Sequence, residues 1–179
     1  MNLVENIRGD ALRHFKARNY RTRSPYLPLY ILLILLFCPG FQLALSMRVQ
    51  SALGKLPVIG KPMRMILWYC STIYFGSDLD PAATFGPGIY FPHPIGIVIG
   101  GEWDIGSQVT ILHGVTLGRN GTPKGRCRVG DFSQIGAGAK VIGNIDIGRS
   151  SSIGANSVVL KSVPDNALAV GVPARIITK

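Results

Sequence analysis

The chain has 179 residues, a length that suits one domain or one domain with an extension. Hydrophobic residues make up 47% and charged residues only 16%, which excludes an intrinsically disordered chain, since disorder requires low hydrophobicity and high charge. The net charge of +10 favours an anionic partner, but no basic stripe interleaved with aromatic residues supports nucleic acid.

The cysteines are odd in number and widely spaced, at Cys38, Cys70 and Cys127. They form neither a metal-type pair nor an even disulfide framework. Free thiols fit a reducing compartment, so we expect a cytoplasmic protein.

The first 24 residues carry six Lys or Arg against Glu5 and Asp10, and an apolar run follows from Leu27 to Phe37. A signal peptide does not fit, because the charged part is too long and no clear small-residue cleavage site follows. A membrane span is possible by length, but Pro39-Gly40 interrupts the segment, and its eleven unbroken apolar residues are fewer than the roughly 20 needed to cross. The remaining interpretations are a helix buried against its neighbours, which is favoured, and a helix in peripheral contact with the inner face of a membrane. The basic stretch supports the second, because it would attract anionic headgroups.

Two further helices are predicted over 41–53 and 62–75, separated by a loop over 54–60. Pro62 suits a first helical turn. Trp68 and Tyr69 are interpreted as core residues. We therefore expect residues 1–76 to form a helical amino-terminal region.

From residue 79 a bulky apolar residue recurs every six positions. These positions are Leu79, Phe85, Phe91, Ile97, Trp103, Val109 and Val115, and, after a break, Val129, Ile135, Val141, Ile147, Ile153 and Val159. A period of six differs from the 3.6 of a helix and the 2 of an ordinary strand, and it predicts a mainly β fold, a parallel β-helix of hexapeptide repeats. Three hexads close one coil of about 18 residues, and stacked coils bury a continuous apolar column. We assign this domain to residues 77–163.

The break between Val115 and Val129 spans fourteen residues, so eight are additional to the repeat. They fall at 119–126, a polar, basic stretch with Gly and Pro that must leave the coil as a surface loop. Loops on a rigid scaffold often carry function, although a tolerated insertion is the alternative. Residues 164–179 are predicted to cap the last coil, whose edge would otherwise stay unpaired.

The chain from about residue 70 resembles the bacterial serine acetyltransferase family within the hexapeptide acyltransferases. The resemblance is carried by DLDPAA at 78–83, FGPGI at 85–89, HPIGIVIG at 93–100, GVTLG at 114–118, IGAGAK at 135–140 and GVPAR at 171–175. Each motif is weak alone, but together, in order and in register, they are specific. The resemblance implies a left-handed β-helix, a homotrimer, and transfer of acetyl from acetyl-CoA to a hydroxyl. A dimer of trimers joined through the amino-terminal helices is a further assembly that it allows.

The resemblance also implies a catalytic histidine at His93 and an aspartate partner at Asp78, fifteen residues earlier. A hydroxyl needs a base to become a good nucleophile, and histidine suits that task because its ordinary pKa is near neutrality. A carboxylate on the other ring nitrogen would fix the tautomer. His113 lies twenty residues after His93 and is a candidate for substrate contact rather than for direct catalysis; packing between subunits is the alternative.

Acetyl-CoA carries several negative charges, and relatives run its pantetheine along the groove between coils of adjacent subunits. The resemblance therefore implies main-chain contacts at Gly118, Gly138 and Ala139. The candidate phosphate ligands are Lys140, Lys161 and Arg175, with simple solvation as the alternative for each lysine. No metal is expected, because a zinc enzyme of this fold needs three histidines and only two lie in the repeat.

Two departures from the family shift the expected acceptor away from serine. The family usually has aspartate directly before the catalytic histidine, where this chain has Pro92, and an Arg-His pair in the loop, where it has Gly125-Arg126. We therefore expect an O-acetyltransferase acting on a sugar, a polysaccharide or a polysaccharide precursor, with Arg119, Asn120 and Arg126 in contact with it. The alternatives are a serine O-acetyltransferase of cysteine biosynthesis and, from another class, a non-catalytic β-helix scaffold.

Overall fold

A computed structural model describes residues 3–17, 27–121 and 125–178. Within them, four helices come first: α1 (Leu3–Ala17), α2 (Leu27–Phe37), α3 (Pro39–Leu53) and α4 (Gly60–Phe75). Short strands follow: β1 (Asp78–Leu79), β2 (Thr84–Phe85), β3 (Val98–Ile99), β4 (Trp103–Ile105), β5 (Thr110–Ile111), β6 (Thr116–Gly118), β7 (Cys127–Val129), β8 (Gln134–Ile135), β9 (Lys140–Ile142), β10 (Ser152–Ile153), β11 (Val158–Val159), β12 (Leu168–Gly171) and β13 (Ala174–Ile177).

The strands form the three walls of a parallel β-solenoid. Sheet A has the order β1-β3-β6-β9-β11, sheet B the order β2-β4-β7, and sheet C the order β5-β8-β10-β12-β13. All neighbours are parallel except β13, which folds back antiparallel on β12. The predicted parallel β-helix of hexapeptide repeats, preceded by helices, is confirmed.

The interior of the solenoid is a column of aliphatic side chains. On sheet A the inward positions are Leu79, Ile99, Leu117, Val141 and Val159, each paired with the next in register. All five are buried. Branched and aliphatic side chains suit this surface because they pack well on a pleated strand.

The strand register shows where residues are inserted into the 18-residue coil. Leu79 pairs with Ile99, twenty positions later, Ile99 with Leu117, eighteen later, and Leu117 with Val141, twenty-four later. The predicted eight-residue insertion in one loop is therefore wrong. Six residues are inserted at the loop, and the other two lie in the first coil between Tyr90, which pairs twenty positions ahead, and Val98, which pairs eighteen ahead.

The two-residue insertion escapes a count of apolar spacing for a physical reason. Side chains alternate across a strand with period 2, so a shift of two keeps the inward face apolar. Ile97 and Ile99 are both buried, and either one continues a six-residue repeat. The inserted pair falls in the turn that carries His93.

The helical region is joined to the first coil by a buried ion pair. Arg48 on α3 donates from Nε and Nη2 to the carboxylate of Asp10 on α1, at 2.9 and 3.1 Å. It also donates to the carbonyl oxygens of Phe85 and Gly86, at 2.5 and 2.6 Å. Burial raises the pKa of Asp10 above its ordinary 3.8, against the lowering effect of Arg48 and of two backbone N–H donors of the first coil.

Among the described side chains of helix α2, one is fully buried and several are open to solvent. Ile34 is buried with residues of α1 and α3, whereas Leu32, Leu36 and Phe37 are at least half exposed. No single described helix is long and apolar enough to cross a membrane. Ile31–Phe37 and Pro39–Leu53 pass that test only as a pair, and the pair is bent by 87°.

Candidate active site

The two repeat histidines lie on one edge of the solenoid, at the turns between sheets C and A. We call this edge the histidine corner; it comprises residues 92–96, 112–114 and 136–138 of successive coils. Gly96, Gly114 and Gly138 occupy the same place in each turn, with φ of 68°, 66° and 70°. That left-handed backbone favours glycine, because a side chain would be strained there.

His93 and His113 are neighbours at this corner. Their ring centroids are 6.0 Å apart with the planes at 75°, and both side chains are exposed. His93 stands on the turn enlarged by two residues, whereas His113 stands on the shorter turn of the next coil. Both histidines lie three residues beyond a bridged pair, Tyr90 and Thr110, so the stacking of the two coils places the rings side by side.

Asp78 begins β1 directly beneath the His93 turn. The hydroxyl of buried Ser77 donates to the carbonyl oxygen of Pro94 at 3.0 Å and accepts from the N–H of Ile97 at 3.1 Å. The indole N–H of Trp68 on α4 donates to Asp78 Oδ1 at 3.1 Å. In the part of the chain that the structure describes, no hydrogen bond joins Asp78 to His93, so their pairing stays a prediction.

Trp68 and Ser77 support this corner from outside it, although sequence reasoning did not connect them with the site. Trp68 was expected in the core, but its ring is half-buried and its N–H holds the candidate carboxylate. No local signal reveals this contact, because it depends on how α4 ends and turns into the first strand.

Three predicted cofactor residues lie beside the histidines. Gly138 is part of the corner, Ala139 is buried, and Lys140 begins β9 on sheet A. The Lys140 ammonium donates to the carbonyl oxygen of Gly114 at 2.6 Å and to the hydroxyl of Thr116 at 3.1 Å. The Lys140 ammonium is therefore bound at the histidine corner itself, through the carbonyl oxygen of Gly114.

Most of the other predicted residues lie on the opposite edge of sheet A. The turns between sheets A and B, which we call the loop corner, contain Arg119, Asn120, Arg126 and Lys161. Gly118 is the last residue of β6 and leads into this corner, whereas Arg175 lies exposed on β13 of sheet C. Gly118 lies four positions after Gly114 along β6 and its flank, or about 13 Å at the usual strand rise. One chain therefore does not bring the loop residues to the histidines.

Arg126 is engaged within its own chain. Its Nε lies 2.8 Å from Asp104 Oδ2, and its Nη2 donates to the carbonyl oxygens of Ala82 and Trp103, both at 3.2 Å. The hydrogen bond from Arg126 lowers the pKa of Asp104 below its ordinary 3.8. These contacts tie the end of the loop to the first two coils, and a substrate contact for Arg126 stays a prediction.

Arg119 is held more loosely. Its Nη2 donates to the carbonyl oxygen of Gly125 at 3.4 Å. Its Nε is buried and 3.7 Å from Glu102 Oε1, and this atom has no hydrogen-bond partner within residues 3–17, 27–121 and 125–178. Asn120 next to it is exposed.

Known proteins are similar to this chain along most of its length. A family model described as bacterial transferase hexapeptide (six repeats) matches residues 126–161. Serine acetyltransferase of Haemophilus influenzae is 43% identical over 81% of this chain and 54% of its own length. Serine acetyltransferase of Helicobacter pylori is 39% identical over 82% of this chain and 85% of its own length.

Solved structures give the same family. A crystal structure of Neisseria gonorrhoeae serine acetyltransferase has a TM-score of 0.84 and 34% identity, covering 99% of this chain and 65% of that one. A serine acetyltransferase in complex with CoA has a TM-score of 0.81 and 38% identity, covering 98% of this chain and 69% of that one. The chain spans about half the length of the first curated relatives that it matches.

These comparisons correct the predicted acceptor. The prediction of a sugar or polysaccharide acceptor is wrong, because the relatives and solved structures reported above are serine acetyltransferases. The departures from the usual family residues at Pro92, Gly125 and Arg126 did not justify another acceptor, since a small amino acid can be held by other groups. The chain belongs to the serine acetyltransferase family of hexapeptide-repeat acyltransferases.

Proposed function

We propose that the protein is a serine O-acetyltransferase, which transfers the acetyl group of acetyl-CoA to the hydroxyl of serine. Family membership and a relative solved with CoA support the reaction class and the acetyl donor. The observation in this chain that carries the proposal is the histidine corner, where two exposed imidazoles stand 6.0 Å apart over the strand that begins with Asp78.

In the proposed mechanism His93 is the general base. It accepts the hydroxyl proton of serine while the serine oxygen attacks the thioester carbonyl of acetyl-CoA. The tetrahedral intermediate then collapses, the carbon–sulfur bond breaks, and the leaving thiolate takes the proton back from His93. Asp78 would stabilise the imidazolium formed in between, as a carboxylate does in triad enzymes.

We also propose that the working unit is a homotrimer. The histidine corner and the loop corner lie on opposite edges of sheet A, so the predicted site residues are divided within one chain. Packing of three copies would bring the loop corner of one against the histidine corner of the next, with acetyl-CoA between Lys140 and the neighbouring loop. Light scattering on the purified chain measures the mass; a monomer with full activity would contradict this assembly.

Serine must be held without the residues that the family usually employs. Arg119 is a candidate for its carboxylate, because its buried Nε is only weakly engaged by Glu102 at 3.7 Å. Arg126 is less suited, since three of its contacts are already within the chain.

The test is release of CoA thiol from acetyl-CoA with and without L-serine, together with detection of O-acetylserine. We expect serine-dependent release, and a loss of about 10²–10⁴-fold in kcat for His93→Ala, the usual range for removal of a general base. Arg149→Gln, an exposed substitution on a remote turn, is the matched control. Absence of serine stimulation in the wild type, or unchanged turnover in His93→Ala, would refute the proposal.

A further inference from the structure

The net charge of the chain is concentrated in its helical part. Residues 1–77 contain ten Lys or Arg and two acids, whereas residues 78–179 contain nine Lys or Arg and seven acids. Neither Asp nor Glu occurs between residues 11 and 77. One of the two acids, Asp10, is buried against Arg48, which leaves Glu5 as the exposed carboxylate of this region. The first 77 residues thus carry a net charge of +8.

The same region contains a helix with several exposed apolar side chains. On α2 the exposed fractions are 50% for Leu32, 56% for Leu36 and 65% for Phe37. Leu29, Ile31 and Leu35 are also exposed. A surface helix normally turns its apolar stripe toward the core, but α2 is apolar on every side, with no charged residue over its length.

Basic side chains accompany this helix. An apolar cavity of about 580 Å³ lies between α1 and α2, and Arg8 lines it beside Leu12, Ile31 and Leu35. Arg8 and Lys16 are both exposed on α1. Exposed aliphatic side chains next to cations are the combination that binds a lipid surface, where the acyl chains are apolar and the headgroups above them are anionic.

We infer that α2 and the basic side chains of α1 bind the surface of an anionic lipid bilayer. A second copy of the chain would cover the apolar side chains as well, but it would set two regions of +8 against each other at contact distance, well inside a Debye length. An anionic bilayer accepts the leucines and neutralises the cations. This inference is independent of the proposed acetyl transfer.

The geometry places α2 on the membrane surface rather than across it. Its eleven residues span about 16 Å at helical rise, half of a hydrocarbon core of about 30 Å. The chain then bends by 87° into α3. Helix α3 cannot continue the path into lipid, because Phe41, Leu43 and Ala44 are buried in the protein and Arg48 is bonded to Asp10.

The experiment measures co-sedimentation of the full chain with vesicles of phosphatidylcholine alone and of phosphatidylcholine with phosphatidylglycerol. We expect binding only when phosphatidylglycerol is present, and loss of binding as salt is raised. Leu32→Ser/Leu36→Ser should weaken the vesicle partition coefficient by about tenfold or more, since each substitution removes several buried methylene equivalents. Arg8→Gln/Lys16→Gln should weaken it by a similar factor through lost attraction to the headgroups.

The matched control is Phe132→Asn on the solenoid. Phe132 is 60% exposed, as the α2 leucines are, and its φ of 61° is one that asparagine tolerates. Its partition should equal that of the wild type. Equal binding to neutral vesicles, no binding to anionic ones, or a control that loses binding as the leucine variant does would overturn the inference. An assembly mass that falls in the leucine variant without vesicle binding would assign the face to a second copy instead.

Discussion

Replacing Arg48 by methionine removes the cation that joins the helices to the solenoid while keeping most of the side-chain volume. Asp10 is 1% exposed, and Arg48 supplies two of its four hydrogen bonds; the N–H groups of Gly88 and Ile89 supply the others. The variant therefore leaves a buried carboxylate without its counter-ion. Breaking a buried pair in this way is expected to lower the free energy of unfolding by about 3–5 kcal/mol.

The pH dependence of the stability of Arg48→Met follows from the two opposing influences on the pKa of Asp10. Arg48 lowers the pKa of Asp10, and burial raises it. Without Arg48 the folded pKa lies further above 3.8, so the folded variant binds a proton that the unfolded chain does not. Stability of the variant then rises as the pH falls toward 3.8, and its deficit against the wild type is largest near neutrality.

Urea unfolding followed by circular dichroism, at one fixed chain concentration, measures the loss. The control is Arg149→Met, which breaks an exposed pair with Asp131 at 3.6 Å and should change stability by less than about 1 kcal/mol. Asp10→Asn/Arg48→Met removes both charges and should be less destabilised than the sum of the single variants. A deficit for Arg48→Met no larger than that of Arg149→Met would refute the reasoning.

Three further predictions concern the site and its supports. Trp68→Phe removes the donor to Asp78 and should lower kcat by about tenfold, the low end of a hydrogen bond to a charged group, with the KM for acetyl-CoA unchanged; equal kcat would contradict the contact. Gly40→Ala would bring a methyl carbon into collision with the backbone oxygen of Phe91 and should lower the free energy of unfolding by about 1–3 kcal/mol. Unchanged stability would show that α3 can shift to make room. Arg126→Gln should reduce the free energy of unfolding by less than about 1 kcal/mol, because its ion pair with Asp104 is partly exposed. The pair lowers the pKa of Asp104, so its contribution is present above 3.8 and is lost as the pH falls through the folded pKa. Urea midpoints of variant and wild type that diverge further at low pH would contradict this prediction.

Much of the fold is predictable from spacing alone. The six-residue recurrence of apolar residues predicts the solenoid, because each coil must present one inward side chain per wall. The four helices contain the apolar run and the two helices expected after it, since Pro and Gly mark their ends. The predicted size of the loop insertion was wrong, because two of its eight residues are inserted at the His93 turn instead. A shift of two residues there leaves the apolar alternation intact.

The site is only partly predictable in the same way. The resemblance names His93, Asp78 and the glycine-rich turns, and the structure places His93, His113 and Lys140 on one edge. Trp68 was missed, because its contact with Asp78 depends on the angle between α4 and the first coil. The predicted acceptor was wrong, because replacement of the usual family residues at three positions does not specify which other groups bind the acceptor.

By itself the sequence determined the repeat, the stacking of the coils and the concentration of positive charge in the first 77 residues, since these depend on residue type and spacing along the chain. Only the tertiary structure decided which corner each candidate residue occupies. It also decided that Arg126 forms an ion pair with Asp104 and that the exposed leucines of α2 are not covered by the rest of the chain. Those outcomes depend on long-range register: a strand pairs with a residue 18, 20 or 24 positions away according to insertions that local patterns do not reveal.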